Sequence, residues 1–418
     1  MASIRVPGVA MVQKAELAPK PESVPQSEVV PQSEVVPQSE VDRPGVLPAP
    51  LLMPSYGGSS LDSLVPALLE APGRRPAWLP GPLGHASQVV LLALDGLGWR
   101  QLQDRSRTAP VLAGLEGGPI SSVAPTTTAA ALTSLTLGVP PAVHGIVGYK
   151  FAVAGPSGTE VLNVLRWTTR SGDARAFVPP RQAQPRPAFQ GRRVPVVSRS
   201  DFSGSGFSEA HQQGARELSW AVPSSLPLLV GDLLAQGEAF VYAYYEGMDK
   251  IAHASGLGDL YDAELGFVDR LVADVIAVLP RGAGLAVTSD HGQVDVGARA
   301  RPLAPEVAER TVLISGEARF RWLHSRPDEG TDLLERTRAR YAGSAWVASR
   351  AEVVAAGLLG GPLEEEFLSR LGDVALVPLG DDAYLDPTDS GDARLVCRHG
   401  GLTVDEMLVP LLAAAAGA

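Results

Sequence analysis

Hydrophobic residues along the chain fall into short continuous runs that alternate with amphipathic stretches. The run at 88–94 is apolar after its first residue, which is typical of a strand buried on both faces of a parallel sheet. Similar runs predict further strands at 239–245, 284–288, 312–314, 320–322, 374–377 and 395–397. Helical periodicity lies between several of them, at 226–235, 259–279 and 332–341. The alternation predicts an α/β fold with a mostly parallel central sheet and helices on both faces.

Two segments interrupt this alternation. Residues 150–220 are rich in Arg, Pro, Ser and Gly, and we expect an excursion over the active-site side of the sheet. Residues 311–390 mix short strands and helices, which predicts a small α+β insertion. Both segments belong to one expected catalytic domain, residues 51–418, and both are placed to shape a substrate pocket.

The N-terminal segment, residues 1–50, has a different character. The hexapeptide Pro-Gln-Ser-Glu-Val-Val starts at Pro25, is repeated from Pro31, and recurs almost complete from Pro37. Such a segment buries too little apolar surface to offset the entropy of ordering it, so we expect a disordered, proline-rich tail. A partner-binding role is the alternative, and the repeats do not identify a partner.

Charge and cysteine content limit the class of protein. The chain has 418 residues and a formal net charge of −11, which disfavours a surface for nucleic acid polymers. Cys397 is the single cysteine, so neither an internal disulfide nor a thiolate zinc finger is available. Residues 1–20 lack the apolar run of a signal peptide, and no stretch is long enough to cross a bilayer. The expectation is a cytoplasmic protein with no membrane partner.

A carboxylate follows the first predicted strand directly. Asp95 comes after the 88–94 run and precedes Gly96, so it is exposed at a strand end where the backbone is free to turn tightly. This placement suits a metal ligand or a general base. An aspartate that caps the following turn is the alternative.

Three adjacent threonines, Thr126, Thr127 and Thr128, precede a run of strong helix formers. One of them is expected to cap a helix, whose free N–H groups and dipole favour an approaching anion. With a cation close by, the same position favours a threonine alkoxide as a nucleophile. A plain helix cap is the alternative reading of this block.

Two further blocks combine aspartate and histidine. Asp249 and His253 are four residues apart, which on a helix places carboxylate and imidazole on one face. Asp290 and His291 end the predicted strand at 284–288, and His399 follows the one at 395–397. A polar surface pair is the alternative for any one of these matches.

The conjunction of the blocks is more informative than each block alone. Three aspartates, three histidines and a hydroxyl all fall at strand ends or loop-to-helix junctions, and in an open α/β sheet these positions converge on one edge. Divalent cations prefer this mixture of carboxylate and imidazole, and six ligands suffice for two ions. The sequence therefore predicts a two-metal site.

In this order the blocks resemble the alkaline phosphatase superfamily, and more narrowly the type I phosphodiesterase and nucleotide pyrophosphatase family. The resemblance covers residues 85–412, and the block from His399 through Gly-Gly-Leu-Thr-Val-Asp-Glu-Met-Leu-Val-Pro is its most specific part. It implies two divalent ions, zinc being expected and manganese also compatible with the ligands. It further implies that one ion is held by Asp249, His253 and His399, and the other by Asp95, Asp290, His291 and the nucleophilic threonine.

The resemblance also implies which threonine is the nucleophile, and it shows two departures. Counting back from Leu135-Thr136-Leu137-Gly138 places Thr128 at the nucleophile position, with Thr127 as the alternative. Where the nucleotide pyrophosphatases have an Asn three residues later, this chain has Ala131, so a side-chain amide donor for the phosphoryl oxygens is missing. Ala252 replaces the usual Gly before the metal-binding histidine.

The activity implied is hydrolysis of a phosphodiester or phosphoanhydride through a threonyl-phosphate intermediate. The substrate class is a small anionic phosphate ester or a nucleotide-like molecule. A phosphomonoesterase or a phosphonate hydrolase of the same superfamily remains an alternative, because the same metals serve these reactions. A non-catalytic binding protein of this fold is a further alternative, although every expected metal-binding residue is present.

Overall fold

A seven-stranded sheet runs through the centre of the protein. The structure is a computed structural model that describes residues 47–389 and 391–417. Residues 1–46 of the expected tail therefore lie outside the described residues. The strands of this sheet and of the smaller sheets, in chain order, are β1 Gln88–Leu94, β2 Glu116–Ser121, β3 Lys150–Gly155, β4 Gly158–Asn163, β5 Thr168–Thr169, β6 Gly172–Asp173, β7 Pro195–Arg199, β8 Arg216–Trp220, β9 Phe240–Tyr245, β10 Ala283–Thr288, β11 Val294–Asp295, β12 Ala300–Pro302, β13 Leu313–Glu317, β14 Phe320–His324, β15 Ala345–Ser349, β16 Val374–Pro378, β17 Ala383–Leu385, β18 Cys397–Arg398 and β19 Leu408–Ala415.

Helices lie between most of these strands. The α-helices are Leu61–Leu69, Gly81–Gly84, Trp99–Asp104, Pro110–Gly114, Thr128–Leu137, Pro141–His144, Pro180–Ala183, Gly206–His211, Leu226–Ala235, Gly247–Ser255, Asp259–Ala277, Pro305–Ala308, Gly330–Tyr341, Arg350–Ala355, Glu365–Leu368 and Val404–Met407. Short 3₁₀ turns are Ala188–Gly191, Ser200–Phe202, Pro223–Ser225, Gly297–Arg299 and Asp392–Arg394. None of the described helices is both long enough and apolar enough to span a membrane.

The strand order of the central sheet is β2-β19-β10-β1-β9-β7-β8. The pairs from β10 to β8 are parallel, whereas β19 is antiparallel to both of its neighbours. Along β1, Val89 and Leu91 face one hydrophobic cluster, and Val90 and Leu92 face the other. Both faces of the strand are therefore packed, which explains its continuous apolar run. The predicted fold class, mostly parallel with helices on both faces, is confirmed.

The segment at 150–220 only partly matches the expected excursion. Its first half forms a separate sheet of β3, β4, β5 and β6, but β7 and β8 are parallel strands of the central sheet. The expectation of an excursion is therefore wrong for the second half of the segment, where β7 and β8 extend the central sheet. β8, Arg-Glu-Leu-Ser-Trp, lies at the sheet edge and has only one buried residue. An edge strand therefore lacks the apolar run by which the inner strands were recognised.

The segment at 311–390 contains an antiparallel sheet in the order β13-β14-β16-β15. The helix Gly330–Tyr341 packs on it and contributes the buried side chains of Leu333 and Tyr341 to a small hydrophobic cluster. The turn between β13 and β14 carries Arg319 and reaches the C-terminal block of the main sheet, where Arg319 binds Glu406. The insertion is thereby fixed beside the strand ends that carry the candidate site.

Candidate two-metal active site

The parallel pairing of β1 with β9 and β10 brings the predicted residues to one edge of the sheet. Asp95 follows β1, and Asp290 follows β10 at the equivalent position, because Ala93 is in register with Thr288. Asp249 and His253 are on the helix Gly247–Ser255 that follows β9. The strand ends therefore converge as expected for an open α/β sheet.

One cluster, the Asp95 group, consists of Asp95, Asp290 and His291. All three side chains are buried, and one ligand atom from each lies within 4.8 Å of the others. His291 Nε2 is 3.5 Å from Asp95 Oδ1 and 3.4 Å from Asp290 Oδ2. Two carboxylates and an imidazole nitrogen thus face a common centre.

A second cluster, the Asp249 group, consists of Asp249, His253 and His399, again with ligand atoms within 4.8 Å of one another. Asp249 Oδ1 is 3.2 Å from His253 Nε2 and 3.8 Å from His399 Nε2. The helical spacing of Asp249 and His253 places both on one face, as the sequence predicted. These three side chains are partly exposed, unlike those of the Asp95 group.

The two groups adjoin. The rings of His291 and His399 are stacked, with centroids 3.6 Å apart and planes inclined by 10°. The Asp249 N–H donates to the carbonyl of Asp95 at 3.0 Å. Gly96 makes this approach possible, because its φ is +77° and a Cβ there would lie 2.8 Å from Asp249 Cα. The glycine after Asp95 therefore has a steric role at the junction of the groups.

Backbone carbonyls orient all three imidazoles. The Nδ1 atoms of His253, His291 and His399 lie 2.8, 3.1 and 2.9 Å from the carbonyl oxygens of Cys397, Gly292 and Thr126. A carbonyl only accepts, so the hydrogen-bond network assigns the proton to Nδ1 and leaves the Nε2 lone pair directed into the site. A metal-binding histidine is held in this way.

Unpaired buried oxygens show that the residues fit divalent cations. Asp95 Oδ1 and Asp290 Oδ2 are buried and have no hydrogen-bond partner among the described residues. Burial and the charges of Asp290 and Asp249 raise the pKa of Asp95 well above its usual range. Burial and the neighbouring His291 and His253 lower the pKa of His399, which keeps that ring neutral and able to bind a metal. A bound cation would compensate the buried negative charge.

The three threonines have different environments. Thr128 Oγ1 is 3.1 Å from His291 Nε2 and therefore adjoins the Asp95 group. The Thr126 hydroxyl donates to the Gly401 carbonyl at 2.7 Å and accepts from the Gly400 N–H, so it connects two chain segments. Thr127 is the N-cap of the helix that Thr128 begins. The free amides of the first helical turn lie beside Thr128 and favour an anion there.

Two supporting side chains were missed in the sequence. The Tyr244 hydroxyl donates to Asp95 Oδ2, and Gln293 Nε2 donates to Asp249 Oδ1 at 2.6 Å. Tyr244 lies inside a hydrophobic strand, where its hydroxyl gave no signal, although it is in register with Ala93 near the end of β1. Gln293 follows His291 by two residues, and proximity to that block was the only available signal.

A buried glutamate also borders the site. Glu317 is 6% exposed, its Oε1 accepts from the Tyr149 N–H, and its Oε2 has no hydrogen-bond partner among the described residues. Burial raises the pKa of Glu317 to about 7, against opposing contributions from the Tyr149 N–H and other hydrogen bonds. The sequence contained no motif that pointed to this residue.

His144, Trp167 and Cys397 are buried in structural environments. His144 is buried and contacts the Ser134 hydroxyl at 2.8 Å, and burial lowers its pKa to about 3. Trp167 is buried, and its indole N–H donates to the Val178 carbonyl. Cys397 is also buried, and burial raises the pKa of its thiol to about 12. None of these side chains belongs to the Asp95 group or the Asp249 group.

Two cavities open onto Thr128 and Asp249. The larger cavity, about 510 Å³, is also lined by His253, His399, Glu317 and several basic side chains. The smaller cavity, about 370 Å³, is also lined by Asp95, Tyr244, Phe202 and Phe207. A substrate whose phosphorus lies beside Thr128 therefore has room for a substituent on either side.

Solved structures with a similar fold include two ectonucleotide pyrophosphatase/phosphodiesterases and a phosphonate hydrolase. Murine ectonucleotide pyrophosphatase/phosphodiesterase 5, an inactive form in complex with AMP, is 14% identical with a TM-score of 0.59, over 78% of this chain and 87% of that one. The human protein of that name is also 14% identical, with a TM-score of 0.56 over the same shares. Phosphonoacetate hydrolase from Sinorhizobium meliloti 1021, in complex with phosphonoformate, is 18% identical with a TM-score of 0.52, over 82% and 92%. At these identities the likeness shows the fold.

Family membership comes from the sequence itself. No curated protein matches the chain closely enough to be compared. The pattern of the type I phosphodiesterase/nucleotide pyrophosphatase family matches residues 89–349, which is more than half of the chain. Proteins of this superfamily use divalent metal ions, for which the two clusters provide candidate ligands. The chain belongs to the type I phosphodiesterase/nucleotide pyrophosphatase family of the alkaline phosphatase superfamily and is a phosphoric ester hydrolase.

Proposed function

We propose that this protein is a two-metal phosphodiesterase or nucleotide pyrophosphatase that acts through a covalent intermediate on Thr128. The observation that carries the proposal is the position of Thr128 Oγ1, 3.1 Å from His291 Nε2 at the junction of the two metal-binding groups. The helix start beside it supplies backbone N–H groups for an anionic phosphoryl group. The two cavities accommodate both substituents of a diester.

Asp95, Asp290 and His291 would hold one ion together with Thr128, and Asp249, His253 and His399 would hold the other. When bound, the ions supply Lewis acidity for the attacking and leaving oxygens and compensate the charge of the substrate. Zinc is the expected metal, and manganese suits the same ligands. The three carbonyls that fix the histidine Nδ1 atoms hold the ligand nitrogens in place before substrate arrives.

The reaction proceeds by two in-line displacements. The Thr128 hydroxyl loses its proton to solvent and Oγ1 forms a bond to phosphorus, while the bond from phosphorus to the leaving oxygen breaks and that oxygen is protonated by solvent. Water then attacks phosphorus, the bond to Oγ1 breaks, and Thr128 regains a proton. Ala131 offers no side-chain donor to the phosphoryl oxygens, so the amides of the first helical turn, near Ala129, have that role.

The test compares bis-p-nitrophenyl phosphate with p-nitrophenyl phosphate, before and after chelation and with zinc or manganese restored. Thr128→Ala should lower diester turnover at least about a thousandfold because the nucleophile is removed. Thr127→Ala should lower it far less, and mass spectrometry of acid-quenched protein should place the phosphoryl adduct on Thr128. Chelator-resistant turnover, or an adduct on Thr127, would contradict the proposal.

A phosphonate hydrolase is the second candidate. Basic side chains in the larger cavity suit a substrate that carries a carboxylate, as phosphonoformate does in the complex of the Sinorhizobium enzyme. Phosphonoacetate assayed beside the two nitrophenyl esters distinguishes the candidates. Release of phosphate from phosphonoacetate, without diester turnover, would favour this alternative.

A further inference from the structure

The wall of the larger cavity contains a buried glutamate that belongs to neither metal-binding group. Glu317 is the last residue of β13, in the small antiparallel sheet, and it lines this cavity together with Thr127 and Thr128. A carboxyl group that is removed from water needs hydrogen bonds or a partner of opposite charge. The partners that Glu317 has, and the one that it lacks, therefore indicate its role.

Only one oxygen of the Glu317 carboxyl is engaged. Oε1 accepts a hydrogen bond from the Tyr149 N–H, whereas Oε2 is buried and has no hydrogen-bond partner among the described residues. Within the same part of the chain, no basic side chain forms an ion pair with this carboxyl. A buried polar atom without a partner is unfavourable unless a bound molecule supplies one.

Packing places the Glu317 carboxyl beside the start of the helix Thr128–Leu137. Gly400 lies against this side chain, since a Cβ on Gly400 would be 2.7 Å from Glu317 Cβ. The Gly400 carbonyl accepts from the Thr126 N–H at 3.3 Å, and the two residues form a β-bridge. Glu317 therefore lies beside the segment that leads directly into the proposed nucleophile.

The phosphoryl position needs hydrogen-bond donors that the helix supplies only through its backbone. Ala131 has no side-chain donor, and the N–H groups of the first turn are on one element of the site. Glu317 approaches the same cavity from a distant part of the chain. A neutral carboxylic acid has one O–H donor, and a donor directed at developing charge stabilises the transition state of phosphoryl transfer.

The environment of Glu317 favours the neutral acid. Burial raises the pKa of Glu317 to about 7, although the Tyr149 N–H, the Arg321 charge and the Thr127 hydroxyl oppose this rise. An anionic phosphoryl group beside the carboxyl favours protonation further. The other titratable or charged side chains that line the cavity are Tyr149, Lys150, Arg166, Asp249, His253, Asp389, Arg394, Arg398 and His399.

We infer that Glu317 is a catalytic residue that, as the neutral acid, donates a hydrogen bond from Oε2 to a phosphoryl oxygen of the bound substrate. The inference rests on the proposed function and deepens it, because it assigns a further residue to the reaction. The proton remains on Glu317 throughout, so neither displacement gains a proton transfer. The interaction stabilises charge on the phosphoryl oxygens together with the N–H groups of the first helical turn.

Two substitutions distinguish a hydrogen-bond donor from a carboxylate. Glu317→Gln retains a donor in its amide group, whereas Glu317→Ala removes it. With bis-p-nitrophenyl phosphate and zinc restored, kcat should fall about a hundredfold in Glu317→Ala. It should stay close to the wild-type value in Glu317→Gln. Equal losses in the two variants would assign the role to the carboxylate, and no loss in either would remove Glu317 from the reaction, so both results would overturn the inference.

Glu160→Ala is the matched control. Glu160 is 1% exposed, and its Oε2 also has no hydrogen-bond partner among the described residues. It lines a different cavity, which Thr128 does not reach. Loss of this equally buried carboxyl should leave kcat unchanged, and circular dichroism of all three variants checks their folding. A loss of kcat as large as that in Glu317→Ala would attribute the effect to packing and overturn the inference.

The pH dependence gives a second test. Because Glu317 donates only while it is protonated, the wild-type kcat should decrease as the pH rises through the pKa of this residue. Glu317→Gln should lack the decrease, since an amide does not titrate. A decrease of the same size in both proteins would assign the titration to another group and contradict the inference.

Binding of inorganic phosphate provides a readout that does not depend on turnover. Isothermal titration calorimetry of the zinc-loaded protein, below neutral pH, should give a Kd about tenfold higher for Glu317→Ala than for the wild type. Glu317→Gln should bind phosphate as the wild type does. A Kd that is the same in all three proteins would contradict contact between Glu317 and the phosphoryl group.

Failure of the inference and failure of the proposed function are distinguishable. A wild-type protein that hydrolyses the diester through Thr128, with Glu317 variants that do not differ from it, would overturn the inference alone. A wild-type protein that hydrolyses no diester would contradict the proposed function. The phosphate measurement would then still decide whether Glu317 binds a phosphoryl group.

Discussion

At the scale of single residues, the Asp95 carboxyl illustrates how this site balances charge. It is buried beside Asp290, and the Tyr244 hydroxyl donates to its Oδ2 while Oδ1 has no partner among the described residues. A hydrogen bond to the ionised form offsets part of the unfavourable effect of burial. Tyr244 thus keeps one oxygen engaged and leaves the other directed toward the proposed ion.

Tyr244→Phe should weaken metal binding, because it removes the donor that favours ionised Asp95 and fixes its orientation. We expect zinc affinity to fall by about tenfold or more. Competition with a chromophoric chelator measures this directly, without reliance on turnover. Tyr242→Phe is the control, since the Tyr242 hydroxyl is buried with no hydrogen-bond partner among the described residues. Equal zinc affinities in the two variants would show that Tyr244 has no such role.

At the scale of elements, the helix Thr128–Leu137 positions the proposed nucleophile. All ten of its residues are buried, and Ala129, Ala130 and Ala131 allow it to pack closely against its surroundings. The helix ends at Gly138, which has a φ of +72° and accommodates Pro66 of the neighbouring helix. The start of the helix holds the proposed nucleophile, and its end fixes the packing.

Gly138→Ala should destabilise the protein through both backbone strain and a steric clash, because a Cβ would lie 2.5 Å from Pro66 Cγ. Gly343→Ala isolates the first effect, since Gly343 has a φ of +73° and no heavy atom within 4 Å of the added Cβ. We expect about 1 kcal/mol for Gly343→Ala and a further loss of about 1–3 kcal/mol for Gly138→Ala. Urea unfolding measures both, and equal losses would disprove the steric contribution.

At the scale of the whole molecule, a buried ion pair connects the small antiparallel sheet to the central one. Arg319 donates through Nε and Nη2 to the two carboxylate oxygens of Glu406, each at 2.7 Å. Glu406 also accepts from the Gly401 N–H and the Thr403 hydroxyl. The carboxylate therefore fixes the conformation of the chain immediately after His399.

Arg319→Met should reduce the free energy of unfolding by about 3–5 kcal/mol, because it leaves the Glu406 charge buried without its partner. Arg336→Met is the matched control. It breaks an ion pair with Asp332 in which the side chains are 44% and 41% exposed, and such pairs contribute at most about 1 kcal/mol. Chemical denaturation of both variants tests the contrast, and comparable losses would refute it.

Local sequence was sufficient to predict an element where the burial of its residues follows from their neighbours in the chain. The buried run of β1 matches its predicted bounds, Gln88–Leu94, as does the helix Leu226–Ala235. The four-residue spacing of Asp249 and His253 lies on one helix, as expected. Edge strands could not be predicted in this way. β2, Glu-Gly-Gly-Pro-Ile-Ser, lies at one edge of the central sheet and has little apolar character, because only part of it is buried.

The sequence by itself determined the fold class, the family and the candidate ligands, because buried runs, helical spacing and strand-end motifs are properties of adjacent residues. Only the tertiary structure decided which threonine adjoins His291, that Tyr244 and Glu317 border the site, and that the basic side chains line one cavity. These relations join residues far apart in the chain. They depend on strand register and packing, for which no local pattern exists.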